Sequence, residues 1–120
     1  MGVWRTSYLI YGFKIEDEAR LDALGDHEEE LLFEEPYSEI FNGYDSDQTI
    51  ISDVMCGQYA YIGLELAHID ELDEGYYEWS EEQMTGLNER LKEGMEKWPD
   101  YLRGICRDIE PKLYFFIHAH

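Results

Sequence analysis

Val3 to Ile15 is rich in Trp, Tyr, Ile and Phe, with apolar residues on both alternating faces. That pattern predicts a strand buried on its two sides, near the centre of a sheet. Glu16 to Leu24 switches to helix-forming composition with acids in its first turn, where the helix dipole favours them, and Gly25 supplies a stop. Asp26 to Asp47 carries the turn signals Pro36, Asn42-Gly43 and Asp45 to Asp47 and reads mostly as loop, with Glu28 to Phe33 open to an extension of the helix or a short strand. Two β-branched and aromatic runs, Gln48 to Val54 and Gln58 to Ile69, flank Met55-Cys56-Gly57 at the spacing of a hairpin.

The strongest helical signal comes late. Ser80-Glu81-Glu82-Gln83 has the form of a capping box, in which Ser80 accepts from a free backbone amide and Gln83 reaches back. Met84, Leu87, Leu91, Met95, Trp98, Leu102 and Ile105 follow at spacings of three and four, which confines them to one stripe of a long helix. Pro99 removes an amide donor inside that stripe and predicts a kink or break. Pro111 ends the helical region, and Lys112 to Ala119 reads as a second strand buried on both faces.

These elements predict one α+β domain spanning residues 1–120, with a small single sheet of about four strands in β-α-β-β-α-β order. In such a ferredoxin-like arrangement the first and last strands lie side by side. The long C-terminal amphipathic helix packs on one face of the sheet.

Charge changes the picture more than any motif does. The chain has 28 acidic residues against nine Lys and Arg, for a net charge of −19. Between Leu21 and Glu89 there are Asp and Glu residues throughout and no Lys or Arg, while both ends are near neutral. A salt-adapted surface would spread its acid along the whole chain, so the concentration in one segment argues against that origin. Disorder is excluded on different grounds: aromatic residues make up 15% and apolar residues 44%, enough to build a core beneath a charged surface. The negative field attracts basic surfaces and repels nucleic acid and anionic membranes, so neither of the latter is an expected direct partner.

Two clusters stand out as candidate partner-binding residues. The first is Glu28, Glu29, Glu30, Glu34 and Glu35 with Tyr37. The second is Asp70, Glu71, Asp73, Glu74 and Glu78 with Tyr76, Tyr77 and Trp79. Carboxylates interleaved with aromatic rings provide flat anchors ringed by charge, as interfaces require, although a merely solubilising surface has the same composition. The composition resembles that of DNA-mimic inhibitors, which occupy grooves whose Lys and Arg normally meet phosphates. Such a role would suit a viral or mobile-element origin.

Other chemistry finds less footing. Asp45-Ser46-Asp47 begins like a calcium loop, but Ile50 and Cys56 stand where its Gly and Glu are needed. His118 and His120 share a strand face, and a metal-dependent reading would need a third ligand such as His68 or His27; histidines at a chain end are ordinarily just exposed. No nucleophile elbow, phosphate loop, His-Glu-x-x-His or dinucleotide fingerprint is present. No catalytic residue, metal or cofactor is therefore assigned. Cys56 and Cys106 lie far apart with no metal-ligand spacing, consistent with buried thiols in a reducing cytosol. The N-terminal Met1-Gly2 sequence fits a loose myristoylation pattern, but a single acyl chain on so acidic a protein would anchor poorly. The expectation is a cytoplasmic, non-enzymatic module that binds a basic protein, such as a nucleic-acid-binding protein. The rivals are an oligomeric module with a solubilising surface, or a carboxylate and histidine site for a metal-dependent small molecule.

Overall fold

A computed structural model describes residues 5–41, 47–52, 58–70 and 81–119. Four strands, β1 (Arg5–Ile15), β2 (Gln48–Ser52), β3 (Ala60–Asp70) and β4 (Lys112–Ala119), form one open antiparallel sheet in the order β2-β3-β1-β4. The first and last strands pair directly, with Leu9 opposite Phe115 and Tyr11 opposite Leu113. A bulge after Leu9 shifts the β1–β3 register by one residue, so Leu9 faces Ala67 while Ile10 faces Glu65. Gly12 and Gly63 are directly opposed in that pair. A Cβ built on either would lie 2.7 Å from the other's Cα, which is why both positions lack a side chain.

Helices cover one face of this sheet. The core joins Phe13, Ile15, Ile50, Ala60, Ile62 and Leu64 from the strands to Leu24, Leu31, Phe41, Leu91, Trp98 and Leu102 from the helices. Within it the indole Nε1 of Trp98 donates to Gln48 Oε1 at 2.6 Å, so the two buried groups satisfy each other.

The helices differ from expectation in three ways, and the order of elements along the chain is accordingly not the simple β-α-β-β-α-β. First, α1 (Glu18–Phe33) passes through Gly25. Asp17 caps its start by accepting from the Arg20 amide. Gly25 lies on the exposed side, where it costs about 1 kcal/mol relative to Ala, while continuing past it buries Leu31 and part of Leu32. Burial wins. Second, the stretch read as loop contains that half of α1 and a further short helix, α2 (Tyr37–Phe41), which brings Phe41 into contact with Trp98 at a ring separation of 5.8 Å. Third, the long C-terminal helix is three pieces, α3 (Glu81–Met84), α4 (Leu87–Met95) and α5 (Asp100–Ile105). Gly86 adopts a left-handed conformation with φ 73° at the α3–α4 junction, and Pro99 takes an extended conformation before α5. The apolar stripe survives both breaks, because every one of its members from Met84 to Ile105 lies in the core or packs against it. Ser80, the proposed capping residue, lies outside the described residues, as does the hairpin turn at Cys56.

The last strand also departs from the prediction. β4 is an edge strand, and Leu113, Phe115 and Ile117 are 46%, 72% and 63% exposed rather than buried. Their alternation places them on the helical side of the sheet, beside Tyr11, Leu9 and Ser7, where α4 and α5 do not reach. Among the described residues no helix is long and apolar enough to cross a membrane.

Candidate interaction surface

The sheet and the helices divide the charge unequally. The four strands contain only Glu65 and Asp70 among the acidic residues, whereas α1 alone contains six. Because the helices lie on one side, their outer surface is acidic and the opposite face of the sheet is not. On α1, Glu18, Asp22, Asp26 and Glu29 are all exposed and recur at spacings of four, four and three. At about 100° and 1.5 Å per residue this gives a single line of carboxylates, stepping about 6 or 4.5 Å along the axis. Phe33, 71% exposed, stands at the C-terminal end of the same line. The exposed Glu34 and Glu35 follow it in the turn to α2.

The sequence-predicted first cluster is split by the helix geometry. Glu28 is half-buried and accepts a 2.6 Å hydrogen bond from Ser52 Oγ, tying α1 to the edge of β2. Glu29 faces solvent. Glu30 lies 3.6 Å from Nδ1 of His27, one turn back on α1, and its charge adds to the effect of burial on Tyr101 of α5. Tyr101, stacked on His27 at 3.9 Å, has its hydroxyl pushed up to about 12, by desolvation first and the Glu30 carboxylate second. Tyr37 is half-buried against the core and forms no exposed anchor. Of the second cluster, Asp70 ends β3, while Glu71, Asp73, Glu74, Tyr76, Tyr77, Glu78 and Trp79 lie outside the described residues. Glu18, Asp22, Asp26 and Phe33 were not singled out from sequence. Their helical spacing was visible, but it becomes a stripe only if the helix continues through Gly25.

Two of the nine cations, Arg20 and Arg103, hold helices together. Arg20 Nη1 donates to the carbonyls of Ile105 at 3.1 Å and Arg107 at 2.7 Å, so α1 satisfies the end of α5. Arg103 Nη1 does the same for α4, donating to Met95 O at 2.8 Å and Trp98 O at 2.7 Å, while its other nitrogen pairs with Asp100. No ion pair among the described residues reaches Glu18, Asp22, Asp26 or Glu29.

The opposite face of the sheet is aromatic. Phe116 stacks on Tyr61 at 3.8 Å and on Tyr8 at 5.5 Å, and Tyr114 meets Tyr61 edge-on at 5.3 Å. Together they cover Ile10, which is fully buried. His118 is buried there rather than exposed, with Nδ1 3.0 Å from the Tyr59 hydroxyl, and His68 lies on the other side of Tyr8. Among the described residues no three His, Cys, Asp or Glu side chains gather as a metal site would require.

An open cavity of about 740 Å³ lies between β1, α4 and α5, floored by Phe13, Leu91 and Met95 with Lys92 and Arg107 at its rim. Cys106 lines it, but burial pushes that thiol up to about 12 and so keeps it protonated and a poor nucleophile. No family model matches the chain, and no curated protein or solved structure matches it significantly.

Proposed function

We propose that the chain is a non-enzymatic binding module whose acidic helical surface engages a basic protein. The observation that carries this reading is the line of exposed carboxylates Glu18, Asp22, Asp26 and Glu29 on α1, which ends at exposed Phe33. Regularly spaced charge supplies attraction and long-range steering, and the aromatic ring at its end supplies an apolar anchor. The rigidity of the support matters as well. α1 is fixed along its inner side by Leu24 and Leu31 in the core and by the Arg20 and Glu28 hydrogen bonds, so the line is held in place before a partner arrives.

A more specific form of the proposal is that the partner binds nucleic acid and that this surface occupies its phosphate-binding groove. A row of carboxylates stepping a few ångströms along a rigid rod offers such a groove the charge pattern that its Lys and Arg residues recognise.

The test is capture of proteins from a cell lysate on the immobilised chain at low and high salt, in parallel with a Glu18→Gln, Asp22→Asn, Asp26→Asn, Glu29→Gln variant. The proposal expects basic proteins retained at low salt, released at high salt, and lost from the variant. Retention of neutral proteins only, or equal capture by the variant, would overturn it. Displacement of the captured protein by duplex DNA separates the nucleic-acid-site form from the general one.

A further inference from the structure

The exposed apolar triad of β4 has a specific geometry. Leu113, Phe115 and Ile117 stand at alternate positions of an edge strand, so they share one side of the sheet, and no strand lies beyond β4 among the described residues. A sheet edge presents backbone donors and acceptors that another strand satisfies. The two edges of this sheet are protected very differently. β2 is bracketed in sequence by Asp45, Asp47 and Asp53, and the Glu28 carboxylate is bonded to its last residue, Ser52. Such charges discourage edge-to-edge pairing. β4 has no acidic residue from Pro111 to its end, and its sheet neighbour β1 has none either.

We propose that β4 is a self-association edge, with two copies of this chain pairing their β4 strands antiparallel about a two-fold axis through Phe115. The assignment to a second copy rests on self-complementarity. In that register Phe115 faces its own counterpart and Leu113 faces Ile117, so every apolar side chain of the triad meets another. On the other side of the sheet Tyr114 faces Phe116, extending the aromatic rows, and Lys112 faces His118; no carboxylate opposes a carboxylate. The strip has no carboxylate of its own, so two copies of a strongly negative chain meet there without opposing acidic side chains. The axis is normal to the sheet, so the helical layers of both copies end on the same side and the acidic surface is doubled. This inference does not depend on the partner proposed above, and salt separates the two. Screening weakens attraction to a basic protein but relieves repulsion between two identical acidic chains.

Sedimentation velocity of the full chain over a wide concentration range, at about 0.05 M and about 0.5 M NaCl, reads the association directly. The expected result is a concentration-dependent dimer that strengthens with salt. Phe115→Glu should abolish it at every concentration, and Phe115→Thr should weaken it at least severalfold. Phe115 is largely exposed, so both variants should keep the parent's circular dichroism spectrum. Phe115→Cys supplies a register test, because opposed residues in an antiparallel pair have Cα atoms about 4.5–5.5 Å apart, within reach of a disulfide. It should form a covalent dimer under mild oxidation that the parent chain, with only Cys56 and Cys106, does not. A monomer under all conditions, a dimer indifferent to Phe115→Glu, or a dimer that Phe115→Cys fails to cross-link would overturn the proposal. Capture of a different protein by the triad in place of self-association would do so as well.

Discussion

Replacing glycine by alanine inside a helix ordinarily stabilises it by about 1 kcal/mol, yet this chain has two helical glycines at which the same change should have opposite signs. At Gly25 a Cβ meets nothing within 4 Å, so Gly25→Ala should raise stability by roughly 0.5–1 kcal/mol. At Gly94 the Cβ would lie 2.8 Å from Gln48 Oε1 and 2.9 Å from its Nε2. A free side chain would swing away, but Gln48 is 8% exposed and its Oε1 holds the indole N–H of Trp98 at 2.6 Å. Moving Gln48 therefore leaves a buried donor unpaired, at about 1–3 kcal/mol, and loosens an indole packed edge-on against Phe13. Against a helical gain of about 1 kcal/mol the net expectation for Gly94→Ala is a loss of up to about 2 kcal/mol, or a fall in Tm of as much as several degrees. Urea unfolding followed by far-ultraviolet circular dichroism measures both variants. A double-mutant cycle isolates the cause, because in a Gln48→Ala background the Gly94→Ala penalty should vanish or reverse. Stabilisation by Gly94→Ala in the parent chain, or a penalty that persists without Gln48, would refute the reasoning.

Three further outcomes follow from the fold. Gly12→Ala should be far more damaging, with a loss of roughly 3 kcal/mol or more or failure to fold, because its Cβ meets the backbone of Ile62 and Gly63, which cannot rotate away; thermal unfolding reads this directly. Arg103→Met should cost roughly 1–3 kcal/mol by leaving the Trp98 carbonyl without its donor and the Met95 carbonyl with the Trp98 amide alone, and most of the loss should persist at high salt, because only the exposed Asp100 pair is screened. Tyr101 carries the pH prediction. Its hydroxyl is raised to about 12 in the folded chain against an ordinary value of about 10, so its contribution to stability is complete below pH 10 and is lost as pH rises toward 12. Tyr101→Phe should therefore reduce the fall in stability across that window, measured by urea unfolding at stepped pH, and leave stability near neutral pH unchanged or improved; an unchanged alkaline fall would count against the assignment.

Much of the fold was legible because its strongest signals are periodic. The stripe from Met84 to Ile105 was recognisable, and it stays in phase across Gly86 and Pro99 because each residue must reach the same core whether or not the helix is continuous. The adjacency of β1 and β4 followed from their order and apolar character. What escaped was decided by tertiary balance. Gly25 looked like a stop because the burial of Leu31 beyond it is a long-range gain with no local signature. β4 looked buried on both faces because an apolar strand beneath a helix and one at an uncovered edge have the same sequence. The acidic cluster at Glu28, Glu29 and Glu30 seemed to be a unit, but consecutive residues on a helix point about 100° apart, and the exposed line instead joins residues spread over three turns. Arg20 and Arg103 gave no hint that their hydrogen bonds would go to distant or preceding carbonyls. The pairing of His118 with Tyr59 likewise depends on a register that only the assembled sheet defines.

The central claim is that the carboxylates of α1 attract a basic protein, and the dependence of that binding on salt tests it most directly. For a partner captured at low salt, affinity should fall steeply as sodium chloride rises. The chain with Glu18, Asp22, Asp26 and Glu29 converted to amides should bind at least about tenfold more weakly at low salt and show a visibly shallower dependence. Identical affinities and identical slopes for the two chains would contradict the account and leave the α1 carboxylates with no part in recognition.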